Sequence, residues 1–428
     1  MPARIKQLQT LSVGQWVLLV LAAAWVAGCL AILSHRIFVT NDSLSNYVHV
    51  WYVADVFWHG GGIPFHFPEL GHGSALAFPY GFLPWFTAAL FRPVLGDWVV
   101  TLWLVAGGAG TVAAAVWAFP ELRKPLPLAL FLANPFMVEA VLLGQLPFLW
   151  ATAPWFVAVG MWRRERVWAA VLFAAVAQAG HPAVVLPLAG LNVLVWLVFE
   201  KHRWRLFIAY SLSVILAAPA IVLVLISPVV EDSSTASLLA NFVGTVSLRA
   251  AVIYAPYLII FLARRLPPRA LAVVVVTVVG CNVLLVPIRD TGFAWHALAR
   301  TPDTTLDQFI ASPAFERGAT YRILRVADGK VGMYQLVGHG ARLDSELFPE
   351  SIDRRSWPSA VDYASFLHAR KVDYVLIYAA YDDRYHTNEH ALLDQLVNQR
   401  CAVLSQRDPQ FDVYQIERAC GDRTASGS

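Results

Sequence analysis

The sequence predicts a polytopic α-helical membrane protein of about nine transmembrane helices with a C-terminal extracytoplasmic α/β domain. Three observations predict it. Hydrophobic residues make up 58% of the chain and charged residues only 14%, a balance that a water-soluble domain does not reach. Apolar runs recur along the first two thirds of the chain, several of them near the roughly 20 residues that a bilayer core requires. From Asp290 the chain turns polar with regular alternation, leaving about 140 residues, enough for one small domain with its own core. Residues 1–289 are therefore read as a transmembrane domain that includes an external loop over 39–97, and residues 290–428 as a soluble domain outside the cytoplasm.

The first apolar run covers residues 16–38, behind Arg4 and Lys6, and carries no small-residue cleavage pattern after a short core; it reads as a retained first span. Eight more runs follow at 98–119, 126–143, 146–162, 167–180, 183–199, 206–229, 246–262 and 271–288. Turns are expected at Gly144-Gln145 and at His181-Pro182. Residues 81–95 are expected to lie along the membrane surface without crossing, because Pro84 and Pro93 bracket a segment whose Trp85, Phe86 and Phe91 suit an interfacial helix.

Orientation follows from the basic residues, which cytoplasmic loops retain. Nine spans place Arg4, Lys6, Arg123, Lys124, Arg163, Arg164, Arg166, Lys201, Arg203, Arg205, Arg264, Arg265 and Arg269 inside. Only Arg36, Arg92, Arg249 and Arg289 are left at the outer side. The N-terminus is then cytoplasmic, in the cell membrane, and the small net charge of +3, spread beside the spans, speaks for membrane orientation and against a nucleic-acid partner.

In the external domain the pattern predicts strands over 321–326 and 331–337, a helix over 360–371 opened by Ser359 with Asp362 three residues on, and a buried strand over 372–378. A second helix covers 389–400. A hairpin then runs from 402–405 through Asp408-Pro409 to 413–416, bringing Cys401 and Cys420 close enough for a disulfide in an oxidising compartment. Cys29 and Cys281 lie inside apolar runs and read as packing residues. The domain holds no glycine-rich phosphate loop, metal-spaced cysteine set or catalytic triad pattern.

Outside that domain, polar chemistry concentrates in the loop over 39–97. Asp42 is the first acid after the first span, placed to reach a substrate head group while the membrane holds a lipid tail. The competing role is capping, with Asp42 and Ser43 opening a helix over 44–58. Asp55 and Glu69 are secondary acids, or simply solvated residues. His66, Glu69 and His72 recur at a spacing of three, but Pro64, Pro68, Gly71 and Gly73 argue against the helix that would align them, and no metal site is expected. Trp51, Trp58, Tyr80 and Trp85 offer faces for stacking on a sugar ring or for seating in the head-group layer. Arg249 and Arg289 suit a lipid phosphate or snorkelling to ordinary phospholipid. Glu139, near the outer end of its run, requires a partner, with Gln145 and His181 the nearest candidates.

The order of parts, a first span, a large external loop with an early acid, many spans and an external domain, resembles the GT-C superfamily of integral-membrane glycosyltransferases. Asn41-Asp42, Gly61-Gly62-Ile63-Pro64 and Phe78-Pro79-Tyr80-Gly81 are similar to the family's loop motifs, and Asn134-Pro135-Phe136 followed by Gly144-Gln145 is similar to a pattern of its bacterial members. The resemblance implies transfer of a sugar from a polyprenyl-phosphate-linked donor to a cell-envelope glycan, glycolipid or protein at the outer membrane face, with inversion and without a cofactor. Asp42 would be the general base and Arg249, Arg289 and His181 the lipid-phosphate ligands, His181-Pro182 standing where many members carry Lys-Pro. Asn41 stands where a second acid would be, which favours a metal-independent mechanism. The rival readings are a transporter or flippase of a lipid-linked sugar, which needs broken helices and polar residues near mid-membrane, and a non-catalytic scaffold in which Asp42 only caps.

Overall fold

The computed structural model describes residues 11–40, 43–64, 66–67, 74–75, 81–225, 246, 249–289, 304–324, 330–344 and 356–417. By its contacts the chain divides into two compact units. The first comprises Met1–Asn46, Ala77–Ser227 and Ala236–Arg300, and the second Tyr47–Leu76, Pro228–Thr235 and Thr301–Ser428. The stretch Tyr47–Leu76 therefore groups with the C-terminal region and not with the rest of the external loop.

The first unit is helical. Helix α1, Val13–Leu33, opens on a capping box in which Ser12 and Gln15 exchange side-chain and backbone hydrogen bonds. Helix α2, Ser43–Trp58, begins in this unit, and two short helices follow it, α3 (Leu83–Ala89) and α4 (Arg92–Leu95). At seven and four residues these do not have the length to cross a bilayer. Then come α5 (Trp98–Ala118), α6 (Pro125–Leu132), α7 (Pro135–Leu142), α8 (Leu146–Trp162), α9 (Val167–Gly180), α10 (Pro182–Phe199), α11 (Arg203–Leu225), α12 (Ala255–Arg265) and α13 (Pro268–Arg289).

Each expected apolar run contains helix, but not all are single rods. Among the described residues four helices, α1, α5, α10 and α11, are long and apolar enough to cross, or five if α6 and α7, bent by 46°, form one broken span. Helices α8 and α9 and the Pro268–Asn282 part of α13 are apolar but shorter. Two departures from continuous runs have local causes. The 126–143 run breaks because Pro135 cannot donate a backbone hydrogen bond and disfavours a helical residue before it. The 246–262 run is interrupted at Tyr254, ahead of Pro256 near the start of α12.

Small residues let the central helices approach closely. A β-carbon on Gly107 of α5 would stand 2.8 Å from the Trp150 ring of α8, and one on Gly160 would stand 2.3 Å from Trp117. Polar groups at this contact pair across it: Thr111 Oγ1 donates to the Leu149 carbonyl at 3.0 Å and Trp150 Nε1 to the Trp103 carbonyl at 2.8 Å, as close packing in hydrocarbon favours. Helix α9 packs on both α8 and α11. Two of the cations assigned to the outer side share one counter-charge, since Arg36 and Arg92 both reach the buried Asp97 carboxylate, at 2.9 and 3.4 Å.

The second unit is built on a five-stranded mixed sheet in the order β4-β3-β5-β7-β6. Strand β3 (Thr320–Leu324) pairs in parallel with β4 (Arg342–Leu343) and β5 (Tyr374–Tyr378), and β5 pairs antiparallel with β7 (Phe411–Ile416), itself antiparallel to β6 (Ala402–Arg407). Short helices connect them: α14 (Thr304–Ala311), α15 (Lys330–Gly338), α16 (Ala360–Ala369), α17 (Tyr381–Tyr385) and α18 (Glu389–Asn398). A small antiparallel pair, β1 (His66–Phe67) and β2 (Ser74–Ala75), stands in the early stretch. The strand expected over 331–337 is instead α15. Its buried residues Met333, Leu336 and Val337 follow the helical spacing, and Gly340 at φ 92 ends it, with the amides of Gly340 and Ala341 donating back to Val337 and Leu336. The Ser359 cap forms as expected, accepting from the Asp362 amide at 3.2 Å. The hairpin also forms, and Cys401 at its start is disulfide-bonded while Cys29 and Cys281 are free thiols; Cys420 lies outside the described residues.

A charge network crosses the core of this sheet. Arg322, fully buried on β3, donates to Asp344 Oδ2 and to Glu389 Oε1, both at 3.2 Å, and Arg370 Nε donates to Asp344 Oδ1 at 2.6 Å. The Tyr363 hydroxyl donates to Glu389, and burial, followed by the Glu389 carboxylate, holds its phenol far above the usual range. Removing the central cation takes a charge partner from two buried carboxylates, of which Asp344 keeps Arg370. Arg322→Ala is accordingly expected to cost about 3–5 kcal/mol, read as a lowered melting temperature of the full-length protein.

Candidate active site

Helix direction sorts the first unit into two ends. The start of α8, the end of α9 and the start of α10 share one end; the turns at Arg163–Arg166 and Glu200–His202 share the other. The first end collects the motifs singled out in the sequence.

Each motif has a local structural cause. Asn134 caps α7, its Oδ1 accepting from the Phe136 amide at 3.0 Å, with Pro135 at the first helical position. Gly144, at φ 76, ends α7 in a backbone conformation that favours glycine, and Gln145 N returns to the Ala140 carbonyl at 2.9 Å. His181 is held at φ −153 and ψ 75 by the proline that follows it, which separates α9 from α10.

These elements are tied together by buried hydrogen bonds. The Asn46 side chain of α2 donates through Nδ2 to the Gly144 carbonyl at 2.6 Å and accepts from Trp85 Nε1 at 2.9 Å. Gly81 lies so close to the end of α9 that a β-carbon would stand 2.0 Å from the Ala179 carbonyl oxygen. In turn, one on Gly180 would stand 3.2 Å from Ala151 of α8. His181, buried between α9 and α10, meets Phe148 edge to face at 6.4 Å, and the Arg249 guanidinium sits over the same Phe148 ring at 5.2 Å. Burial, with the Arg249 charge second, pushes the His181 imidazole down to about 3. His181 is therefore neutral at physiological pH and can hold a phosphate only through an N–H, whereas Arg249 carries a fixed charge.

The break between α6 and α7 is closed by other helices. Trp25 Nε1 of α1 donates to the Leu132 carbonyl at 2.9 Å, Asn282 of α13 donates to the Ala133 carbonyl, and Asn134 Nδ2 donates to the Ala251 carbonyl at 3.0 Å. Glu139 is buried on α7.

The expected site residues fall as follows. Asp42, Glu69 and Tyr80 lie outside the described residues, as does His72. Arg289 ends α13, and its side chain is outside the described residues. His181 and Arg249 come together over Phe148. Trp85 is fully buried beneath Asn46 and has no exposed face for a sugar, so its role is positioning. In the second unit, Asp55 is exposed and pairs with His59 at 3.3 Å, Trp58 is exposed, and Trp51 packs on Phe67 at 6.1 Å between ring centroids. Among the described residues no group of three potential metal ligands clusters. Asn46 was missed as a functional residue; the signal available was its place one helical turn after Asp42.

The fold has a counterpart among solved structures. The crystal structure of ArnT from Cupriavidus metallidurans bound to undecaprenyl phosphate is similar to it with a TM-score of 0.51 and 15% sequence identity, over 94% of this chain and 98% of that one. No family profile matches the sequence, and no curated protein matches it.

Two outcomes test the geometry. Asn46→Ala leaves the Trp85 N–H and the Gly144 carbonyl buried without their partner, a loss of about 1–3 kcal/mol for each such group that thermal unfolding of the detergent-solubilised protein will report. The His181 shift has a defined sign. The unfolded chain takes up its proton near 6.5 and the folded protein only near 3, so the unfolded state binds more protons in between and stability rises with pH through that window. His181→Gln is expected to lose less melting temperature than wild type when the pH is lowered from about 7 to about 5.

Proposed function

We propose that the protein is a glycosyltransferase that moves a sugar from a polyprenyl-phosphate-linked donor to a cell-envelope glycan, glycolipid or protein at the outer face of the cell membrane, inverting at the anomeric carbon and independent of a metal. The observation that carries this reading is the likeness of fold over 94% of the chain to a protein crystallised with undecaprenyl phosphate. The Arg249, His181 and Phe148 cluster supports it, because it brings a fixed guanidinium charge to the end of the bundle where Asn134, Gly144 and His181 converge.

In the proposed reaction Asp42 removes the proton of an acceptor hydroxyl, the oxygen attacks the anomeric carbon from the face opposite the phosphate, and the bond from that carbon to the phosphate oxygen breaks. The polyprenyl phosphate leaves as an anion, stabilised by Arg249 as its charge grows. Buried His181 adds a neutral donor or acceptor beside it. The basic residues at the opposite end of the bundle support the orientation, since Arg163, Arg164, Arg166, Lys201, Arg203 and Arg205 gather there.

A flippase is favoured by one observation, the broken pair α6 and α7, which such proteins place at the substrate path. Here the break is closed by Trp25, Asn282 and Asn134, which supports a structural role for it.

Asp42→Asn is expected to abolish transfer from polyprenyl-phosphate hexoses and pentoses in proteoliposomes while leaving expression and melting temperature unchanged; transfer at the wild-type rate would refute the assignment. Arg249→Ala is expected to weaken undecaprenyl phosphate binding, measured by native mass spectrometry, by about tenfold or more, the loss of one hydrogen bond to a charged group. Sugar translocation without transfer would favour the flippase.

A further inference from the structure

At the end of the bundle opposite Gly144 and His181, a cavity of about 470 Å³ opens among the ends of α8, α10 and α12. Aromatic residues form much of its wall, among them Trp162, Trp196 and Tyr257. Its charged residues balance, with Arg163, Arg205 and Arg264 set against Glu121, Glu165 and Glu200. Glu121 takes up two of the cations, Arg264 at 3.1 Å and Arg163 at 3.8 Å. Among the described residues the Arg205 guanidinium and the Glu165 carboxylate have no ion-pair partner. Glu200, which accepts only the His202 amide at 3.4 Å, likewise has none, so the cavity presents one uncommitted positive group and two uncommitted carboxylates.

Two further observations point to a ligand. A narrow apolar slot shares Trp162 and Trp196 with the cavity and continues between the helices, walled by Trp155, Ala174, Val193 and Ala209. The Trp155 indole N–H is buried there without a hydrogen-bond acceptor among the described residues, an arrangement that costs free energy unless an acceptor arrives. The neighbouring faces of α10 and α11 are apolar and exposed, Val198 at 64% and Trp204 at 77%, which sets the cavity at the membrane surface.

We propose that this cavity and slot bind a zwitterionic phospholipid from the leaflet at the arginine-rich end. The lipid phosphate would meet Arg205, its ammonium group Glu165 and Glu200, and the ester carbonyl at the start of an acyl chain the Trp155 N–H in the slot. A polar mouth that narrows into an apolar slot fits an amphiphile, and one free guanidinium set beside two free carboxylates fits a head group carrying both phosphate and ammonium better than a purely anionic one. A soluble metabolite would leave the slot unused, and an anionic head group would face the Glu165 carboxylate. The site stands apart from the cluster around Arg249, and the inference does not rest on the proposed transferase activity.

The test is native mass spectrometry of the full-length protein, delipidated in detergent and titrated separately with phosphatidylethanolamine and phosphatidylglycerol. Wild type is expected to retain one phosphatidylethanolamine in preference to phosphatidylglycerol. Arg205→Glu, on an exposed position and checked by its melting temperature, is expected to weaken phosphatidylethanolamine binding by about tenfold or more. Glu165→Gln combined with Glu200→Gln should erase the preference between the two lipids. The proposal is overturned if wild type retains no lipid, if it holds phosphatidylglycerol as well as phosphatidylethanolamine, or if Arg205→Glu binds as wild type does.

Discussion

A helix cannot be interrupted inside hydrocarbon unless every backbone group set free by the interruption finds a partner. The first unit depends on meeting that constraint between Leu132 and Phe136. Three side chains do so from different parts of the chain: Trp25 on the first helix, Asn282 on the last and Asn134 at the break itself. Two of these partners, Trp25 and Asn282, lie more than a hundred residues away on either side, so the break depends on α1 and α13 as well as on its own residues. The same bonds fix the direction of α7, and with it the position of Gly144, on which the Asn46 side chain rests.

From Gly144 the order propagates by contact. Asn46 joins α2, the end of α7 and Trp85 through two hydrogen bonds. Gly81 and Gly180 allow backbone and helix ends to approach at distances no larger residue permits without a shift. His181, Phe148 and Arg249 then stand at a location determined by packing and not by the flexibility of a loop. A reactive phosphate needs such a setting, because a charged donor is worth most where it is already aimed and little solvent intervenes.

Much of this was legible in the residues. The apolar runs, the helix over Ser43–Trp58, the Ser359 cap and the Cys401 hairpin all follow from period, capping and turn chemistry, which act within a few residues. The His-Pro pair announced its turn for the same reason, whereas the run over 126–143 was expected unbroken and divides at Pro135. What was not legible required distant partners. The sequence shows Trp85 as an amphipathic ring suited to a surface, yet its N–H is claimed by Asn46, 39 residues away, and the ring is buried. Residues 331–337 alternate like a strand, but the helical spacing of Met333, Leu336 and Val337 and the stop at Gly340 prevail once a sheet is there to pack against. Arg322 gave no sign that it would be buried, since its two carboxylates come from other elements of the domain.

Helix α9 has only 14 residues and so rises about 21 Å, well short of a hydrocarbon layer about 30 Å thick, while Trp168 and Leu172 on its flank are exposed. Lipid beside that flank is drawn into hydrophobic mismatch, and the inexpensive response is local thinning of the bilayer. The head-group plane then dips toward the His181 turn. In the proposed reaction, a long isoprenoid anchored in the surrounding membrane would have its phosphate lowered to Arg249 by the shape of the bilayer itself, without having to be lifted out of it.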